Sequence, residues 1–298
     1  MNTWLLITAV PRNCLDLSKL NVVFHEHCFI FGRENSVRFF GNFVERPNVG
    51  RNFYNSMYKY NFDFTTPNDE TIAWRYMDFT KFADLLDSKK LYLCRSDKFD
   101  DPYEGYLKLQ DSHSDELETF EKTKKYYFIS CWHLNNFQSD AMWRIFISSK
   151  NGIAIKTSVG SIKKAIEISK DDVFIGQVFY RDFENMNFFD IAFEKQNVFP
   201  GAPGGSINQF TYKRKSFEHE NELRLVYVDL PIPHASKLTL GHERPILEFK
   251  KIDVDLKSLV QEVIISPFAE IGFKDSVSKL VSDSGLSFRI TESNLYKK

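Results

Sequence analysis

Tyr126-Tyr127-Phe128-Ile129-Ser130-Cys131-Trp132, then Ala141-Met142-Trp143-Arg144-Ile145-Phe146, then Asn151-Gly152-Ile153-Ala154-Ile155-Lys156: these three runs decide the fold. The first is a near-continuous apolar run of strand length, as expected of a strand covered on both faces. The second is short and aromatic-rich, and predicts a short helix behind a polar loop that begins at Trp132-His133. A Gly turn then opens the third run, a second buried strand.

Working outward, the pattern upstream is regular. Thr71–Met77 reads as a strand, and Asp78 or Thr80 can cap a helix over Phe82–Ser88. Phe82, Leu85 and Leu86 then form an i, i+3, i+4 face. Leu91–Cys94 is a strand, and Arg95–Gly105 is an acidic, aromatic, turn-rich loop. Asp111–Lys125 fits a surface helix.

Downstream, Ser158 or Ser161 can cap a helix over Ile162–Ile168, and Val173–Tyr180 is a strand bent at Gly176. Phe188–Phe193 reads as helical, and the Pro/Gly-rich run 200–206 as a loop. Glu220–Val228 alternates as a strand, with Glu220, Glu222 and Arg224 on one face and Leu223, Leu225 and Tyr227 on the other. Pro231-Ile232-Pro233 stops it. Pro245–Phe249, Leu259–Ser266 and Ser287–Glu292 read as strands, and Ile271–Val281 as a helix buried along Val277, Leu280 and Val281. Strands mixed with separated helices predict an α+β class: a mixed, mainly antiparallel sheet or sheets with helices packed on them. Residues 1–69 read as an N-terminal extension without a clear period, and 70–298 as a single α+β domain.

The totals bound the function. A chain of 298 residues with 43% hydrophobic and 27% charged residues is an ordinary globular composition. With 29 Phe, its core should be rich in aromatic rings. A net charge of -1 excludes bulk electrostatic attraction to nucleic acid or to an anionic membrane. The four cysteines show no CxxC, so buried free thiols and a cytoplasmic setting are expected, with no metal. His25 and His27 share a strand face but lack partners spaced to complete a metal site. The acidic loop Asp97, Asp100, Asp101, Glu104 reads as turn chemistry before it reads as a cation site. No P-loop, Rossmann fingerprint, GxSxG or HExxH occurs.

Several of these pieces, in order, resemble a widespread bacterial domain-of-unknown-function family. Leu91 to Gly105 (LYLCRSDKFDDPYEG) is similar to its strand and FNDPFE loop, with Asp100 for the asparagine and Tyr103 for the second phenylalanine. Phe128–Cys131 with Met142-Trp143 matches its methionine-tryptophan signature, although Ile145 and Phe146 replace the usual histidine-tyrosine. Gly152-Ile153-Ala154-Ile155 matches its glycine-led strand. Glu220-Asn221-Glu222-Leu223-Arg224 resembles its ExEWR motif, with Leu223 for tryptophan. Glu262–Pro267 and Ser293-Asn294-Leu295 resemble its end.

A strand, helix and strand followed much later by a glutamate-x-glutamate strand is also similar to the layout of ADP-ribosyltransferases. That likeness implies NAD as substrate and a toxin or phage-defence role, with a small-molecule or protein acceptor. By analogy Arg75 would hold phosphate or ribose, and Tyr92 or Ser96 would pack nicotinamide. Trp132 would stack on a base or nicotinamide ring. Glu222 would be the catalytic carboxylate and Glu220 would orient the acceptor. The alternative is a non-catalytic ligand- or partner-binding regulatory module, in which alternating Glu and Arg form cross-strand pairs.

Overall fold

A computed structural model describes residues 31–33, 36–38, 58–59, 65–105, 124–183, 209–229 and 245–297. The predicted helix 188–193, the loop 200–206, the break at 231–233, most of the predicted helix 111–125 and the His25/His27 pair lie outside the described residues.

In chain order the strands are β1 (Phe31–Arg33), β2 (Ser36–Arg38), β3 (Tyr58–Lys59), β4 (Ile72–Asp78), β5 (Lys90–Arg95), β6 (Tyr127–Leu134) and β7 (Gly152–Ser158). After them come β8 (Val173–Gln177), β9 (Phe179–Arg181), β10 (Tyr212–Arg214), β11 (Glu222–Val228), β12 (Phe249–Asp253), β13 (Glu262–Ile265) and β14 (Arg289–Glu292). Ten of them make one sheet in the order β14-β13-β7-β4-β6-β11-β8-β3, with β5 joined to β6 and β12 joined to β5. Its pairings are antiparallel except β13–β14 and β3–β8. The fold is therefore α+β with a mainly antiparallel sheet, as the sequence predicts.

β6 is the organising strand. One edge pairs with β11 from Tyr127 to His133. The other edge is divided. Ala73 and Trp74 of β4 pair with Leu134 and His133 at one end, while Cys94 and Arg95 of β5 pair with Ile129 and Phe128 at the other. Between these contacts β4 and β5 diverge, leaving a fork in the sheet beside Ser130–Trp132.

Among the described residues five helices flank the sheet: α1 (Phe79–Ser88), α2 (Asp140–Phe146), α3 (Val159–Ile166), α4 (Leu256–Leu259) and α5 (Phe273–Asp283). α1 buries Phe82, Leu85 and Leu86, the face predicted from their spacing. Each fully buried side chain of that kind stabilises the fold by about 1.5–3 kcal/mol. These residues join Ala73, Met77, Trp132, Ile153, Ile155, Leu223 and Leu225 in the main core on one face. On the other face Trp74, Tyr76, Met142 and Trp143 form one cluster, and Tyr127, Ile129, Phe210 and Val226 a second.

Several expectations shift. Asp78 stands at the N-cap of α1 but makes no cap hydrogen bond; its carboxylate instead accepts from the Ser148 amide and hydroxyl. Of Ser158 and Ser161, Ser158 caps α3, accepting from the Ser161 amide. The predicted Val173–Tyr180 strand breaks at Val178 rather than bending at Gly176. Val178 leaves the ladder and donates to the Glu222 carbonyl. Trp132 and His133 lie inside β6 and not in a loop, because β11 extends the pairing to His133. β12 begins where the predicted strand Pro245–Phe249 ends, with Lys250 and Lys251 held by Asp171 and Asp84. Leu259 closes α4 before β13 begins.

Candidate active site

The site grows from the start of β11. Lys215–Glu220 is a 3-10 helix that ends at Asn221, whose backbone is left-handed (φ 37, ψ 62). Asparagine tolerates that conformation better than most residues. The Asn221 side-chain amide donates to the Leu134 carbonyl, which ties the turn to the end of β6. This corner brings Glu220 and Glu222 to one cation. Lys213 Nζ of β10 lies 2.6 Å from Glu220 Oε2 and 2.7 Å from Glu222 Oε1.

Arg224, two residues along the same face, donates from Nε to Glu222 Oε2 at 2.7 Å. Its two outer nitrogens donate to both oxygens of Glu104, at 2.5 and 3.0 Å, and Nη1 also to the Phe210 carbonyl. Arg224 is 0% exposed and Glu222 3%. Three carboxylates thus face two cations inside the protein. Charge-assisted, two-point Arg–carboxylate contacts are the strong kind of hydrogen bond, and burial makes each of them matter.

The surroundings divide the two strand carboxyls. Burial alone would raise Glu222, but the Arg224 and Lys213 charges outweigh it and hold the group well below the usual carboxylate range. Glu220 goes the other way: burial and its contact with the charged Glu222 push it up to about 7, against the pull of Lys213. Like charges sharing one site part in this way, and the proton belongs to the pair. Burial and the Glu222 charge also raise the Tyr180 hydroxyl, which accepts the Glu222 amide hydrogen at 2.8 Å.

A pH test follows from Glu220. With an ordinary value of 4.5 raised to about 7, the folded chain keeps a proton across that window which the unfolded chain has lost. The group's contribution to stability therefore falls as pH rises from about 4.5 to about 7. His133 acts in the opposite sense, since burial lowers its pKa below 6.5 and folding favours the neutral ring. Subtracting a Glu220→Gln variant cancels the histidine. The difference in unfolding free energy, wild type minus variant, should decline from pH 4.5 to 7 and level off above; a flat difference would contradict the assignment.

His133 is the cross-strand partner of both Trp74 and Glu222. Its Nδ1 lies 2.6 Å from the Glu220 carbonyl, which only accepts, so Nδ1 carries the hydrogen. Nε2 then accepts from the Asn135 side-chain amide at 3.3 Å. The ring also lines an open hollow of about 720 Å³ with Asn68, Asn135, Gln177, His219 and Asn221. The hollow is walled mainly by amide and hydroxyl side chains and adjoins the carboxyl pair through His133 and Asn221.

The residues expected to grip a cofactor are placed differently. Because Trp74, His133 and Glu222 are paired in register, they share a face, and Arg75 leaves β4 towards the other. The Arg75 guanidinium turns into the fork, donating to Ser130 Oγ at 2.8 Å and to the Tyr92 carbonyl at 3.1 Å, over the Trp132 ring. Burial lowers its pKa to about 10, so it remains a cation at neutral pH. Among the described residues it has no carboxylate partner. Arg75 and Glu222 do not touch.

Tyr92 is part-exposed and stacks on Phe249. Ser96 is buried, its hydroxyl spent on the Lys124 carbonyl, so it presents nothing to a ligand. Trp132 is 2% exposed, with its ring inside the core and its Nε1 unpaired. It cannot stack on an incoming ring while β6 keeps its place.

The acidic loop is occupied by guanidinium groups: Asp97 pairs with Arg95, Asp101 with Arg214 and Glu104 with Arg224. Among the described residues no group of three or more His, Cys, Asp or Glu side chains is disposed to hold a metal ion, and no helix is long and apolar enough to cross a membrane.

Sequence reasoning did not single out Lys213, Glu104 as a partner of Arg224, or Tyr180. A signal for them existed. Val226 and Val228 share the face of Glu222 and Arg224, so that face is apolar further along and its charges require internal partners.

No protein-family model matches the chain, and no curated protein matches it in sequence. Among solved structures, Thermus sp. 2.9 DarT in complex with NAD+ is similar to it, at 12% sequence identity and a TM-score of 0.32, covering 76% of this chain and 98% of that one.

Proposed function

We propose that the chain is an NAD-using enzyme of the ADP-ribosyltransferase type, with its reacting centre at the carboxyl pair of β11. The observation that carries this reading is the division of labour within the pair. Breaking the bond between nicotinamide and ribose builds positive charge at the anomeric carbon, and a fixed ionised carboxylate stabilises it. Glu222 is such a group: its plane is set by Lys213 on one oxygen and Arg224 on the other. Each oxygen keeps a second lone pair for a sugar hydroxyl. The second step needs a group that takes a proton from the acceptor near neutral pH, and Glu220, at about 7, has that character. The adjoining hollow would receive the substrate.

One observation favours a second reading, a non-catalytic binding module. Both Glu222 oxygens already hold a cation, and Glu104 completes the cluster, as in an ion network that only supports a fold. Nicotinamide release from NAD, measured by chromatography on the full chain, separates the two. Sustained release supports the enzyme; a folded protein that releases none, with or without NAD binding in calorimetry, leaves only the module.

A further inference from the structure

We infer that Glu104 is a positioning residue for Glu222, acting through Arg224. The inference rests on the ADP-ribosyl reading of the same site. It begins with the geometry of one guanidinium. A guanidinium has two edges that can embrace a carboxylate, and Glu104 takes the one formed by both outer nitrogens. Nε donates to Glu222 Oε2, so the two-point contact with Glu104 sets the plane of the guanidinium and with it the direction of the bond to Glu222, whose Oε1 goes to Lys213. Without that contact the guanidinium is free to rotate, and the Glu222 carboxylate that it holds at Oε2 shifts with it from its place beside Lys213.

Glu104 is itself set firmly. Its amide donates to the Asp101 carbonyl in a turn. Asp101 accepts from the Tyr103 amide at 3.0 Å and from Arg214 at 2.7 Å, and the Arg214 guanidinium lies over the Tyr103 ring. Gly105 follows with φ +62, where a Cβ would stand 2.6 Å from the Phe210 ring. The same Phe210 offers its carbonyl to Arg224. The loop is thus pinned on both sides of Glu104, to β10 through Arg214 and to the segment that carries Phe210.

Two substitutions test this in the full chain. Glu104→Asp keeps the charge but withdraws it by one methylene; Glu104→Gln keeps the shape but removes the charge. Both should lower kcat for nicotinamide release by roughly 10- to 100-fold, with KM for NAD within about twofold, because misplacement by about 1 Å costs that much. A second readout would not move if Glu104 only filled space. Glu220 is faced by Lys213 from β10, Glu222 from β11 and Tyr180 from β9, within a cluster whose third carboxylate is Glu104. Removing that negative charge makes Glu220 easier to ionise, so the pH–rate limb near 7 should shift to lower pH in Glu104→Gln and stay in Glu104→Asp. If Glu104→Gln does not fold, Glu104→Asp decides alone. A folded Glu104→Asp variant with wild-type kcat overturns the inference while the enzyme reading stands. A wild type that releases no nicotinamide overturns that reading and this inference with it.

Discussion

Arg224→Ala is expected to lower folding stability by about 3–5 kcal/mol, read as a fall in the urea midpoint. The substitution removes the one cation that joins Glu104 to Glu222 and leaves two buried carboxylates with only Lys213 nearby. It also strips the Phe210 carbonyl of the donor that Arg224 supplies. Against a typical total of about 5–15 kcal/mol, that is a large fraction. The cost comes from stranding charges and not from the net worth of the cluster, which a control can separate. Replacing Arg224, Glu104 and Glu222 together by Met, Leu and Leu leaves Lys213 paired with Glu220 and should be neutral or stabilising by about 1–4 kcal/mol. A loss below about 1 kcal/mol in Arg224→Ala would mean that water reaches the cluster and screens it.

Glu222→Gln is expected to lower nicotinamide release by a factor on the order of 10²–10³, the scale for losing one preorganised electrostatic group at a reacting centre. The chain should still fold. With Glu222 neutral, Glu220 loses the neighbour whose charge holds its proton and ionises in its place. Glu104 and Glu220 then balance Lys213 and Arg224. The variant should consequently lose activity at all pH values while its melting temperature stays near that of the wild type, and the limb near 7 should move to lower pH. Equal kcat in a folded Glu222→Gln protein would take the chemistry away from this carboxylate.

Much of the fold was legible because periodicity reports burial. The continuous β6 and β7 runs declare strands covered on both faces, the α1 stripe and the β11 alternation declare one face each, and these elements and α2 form within a residue or three of their predicted bounds. What escaped depends on partners far away in the chain. β12 carries Lys250 and Lys251 and reads as polar until Asp171 and Asp84 neutralise them. Trp132-His133 reads as loop because His133 is polar; the Glu220 carbonyl, 87 residues on, satisfies its ring nitrogen and lets the strand continue.

The site was half legible for the same reason. Glu220 and Glu222 announce themselves by spacing, and the structure joins them through Lys213. Arg75 was matched with Glu222 by analogy, yet alternation along β4 sends the two side chains off on opposite faces. Spacing within one strand settles a face; it does not say which face a distant strand will share.

The divided edge of β6 bears on how the chain finds its alignment. A strand with one neighbour along its whole length can slide by a residue and still keep most of its ladder. β6 is caught at both ends of one edge by different strands, and β11 on the other edge carries Glu222 and Arg224. Slipping β11 by a single residue would turn those two ions into the hydrocarbon packing around Phe128 and Trp132 and bring Leu223 and Leu225 out among Glu104 and Lys213. The ion cluster therefore proofreads the alignment of the sheet, rejecting near-miss assemblies that hydrophobic contact alone would tolerate.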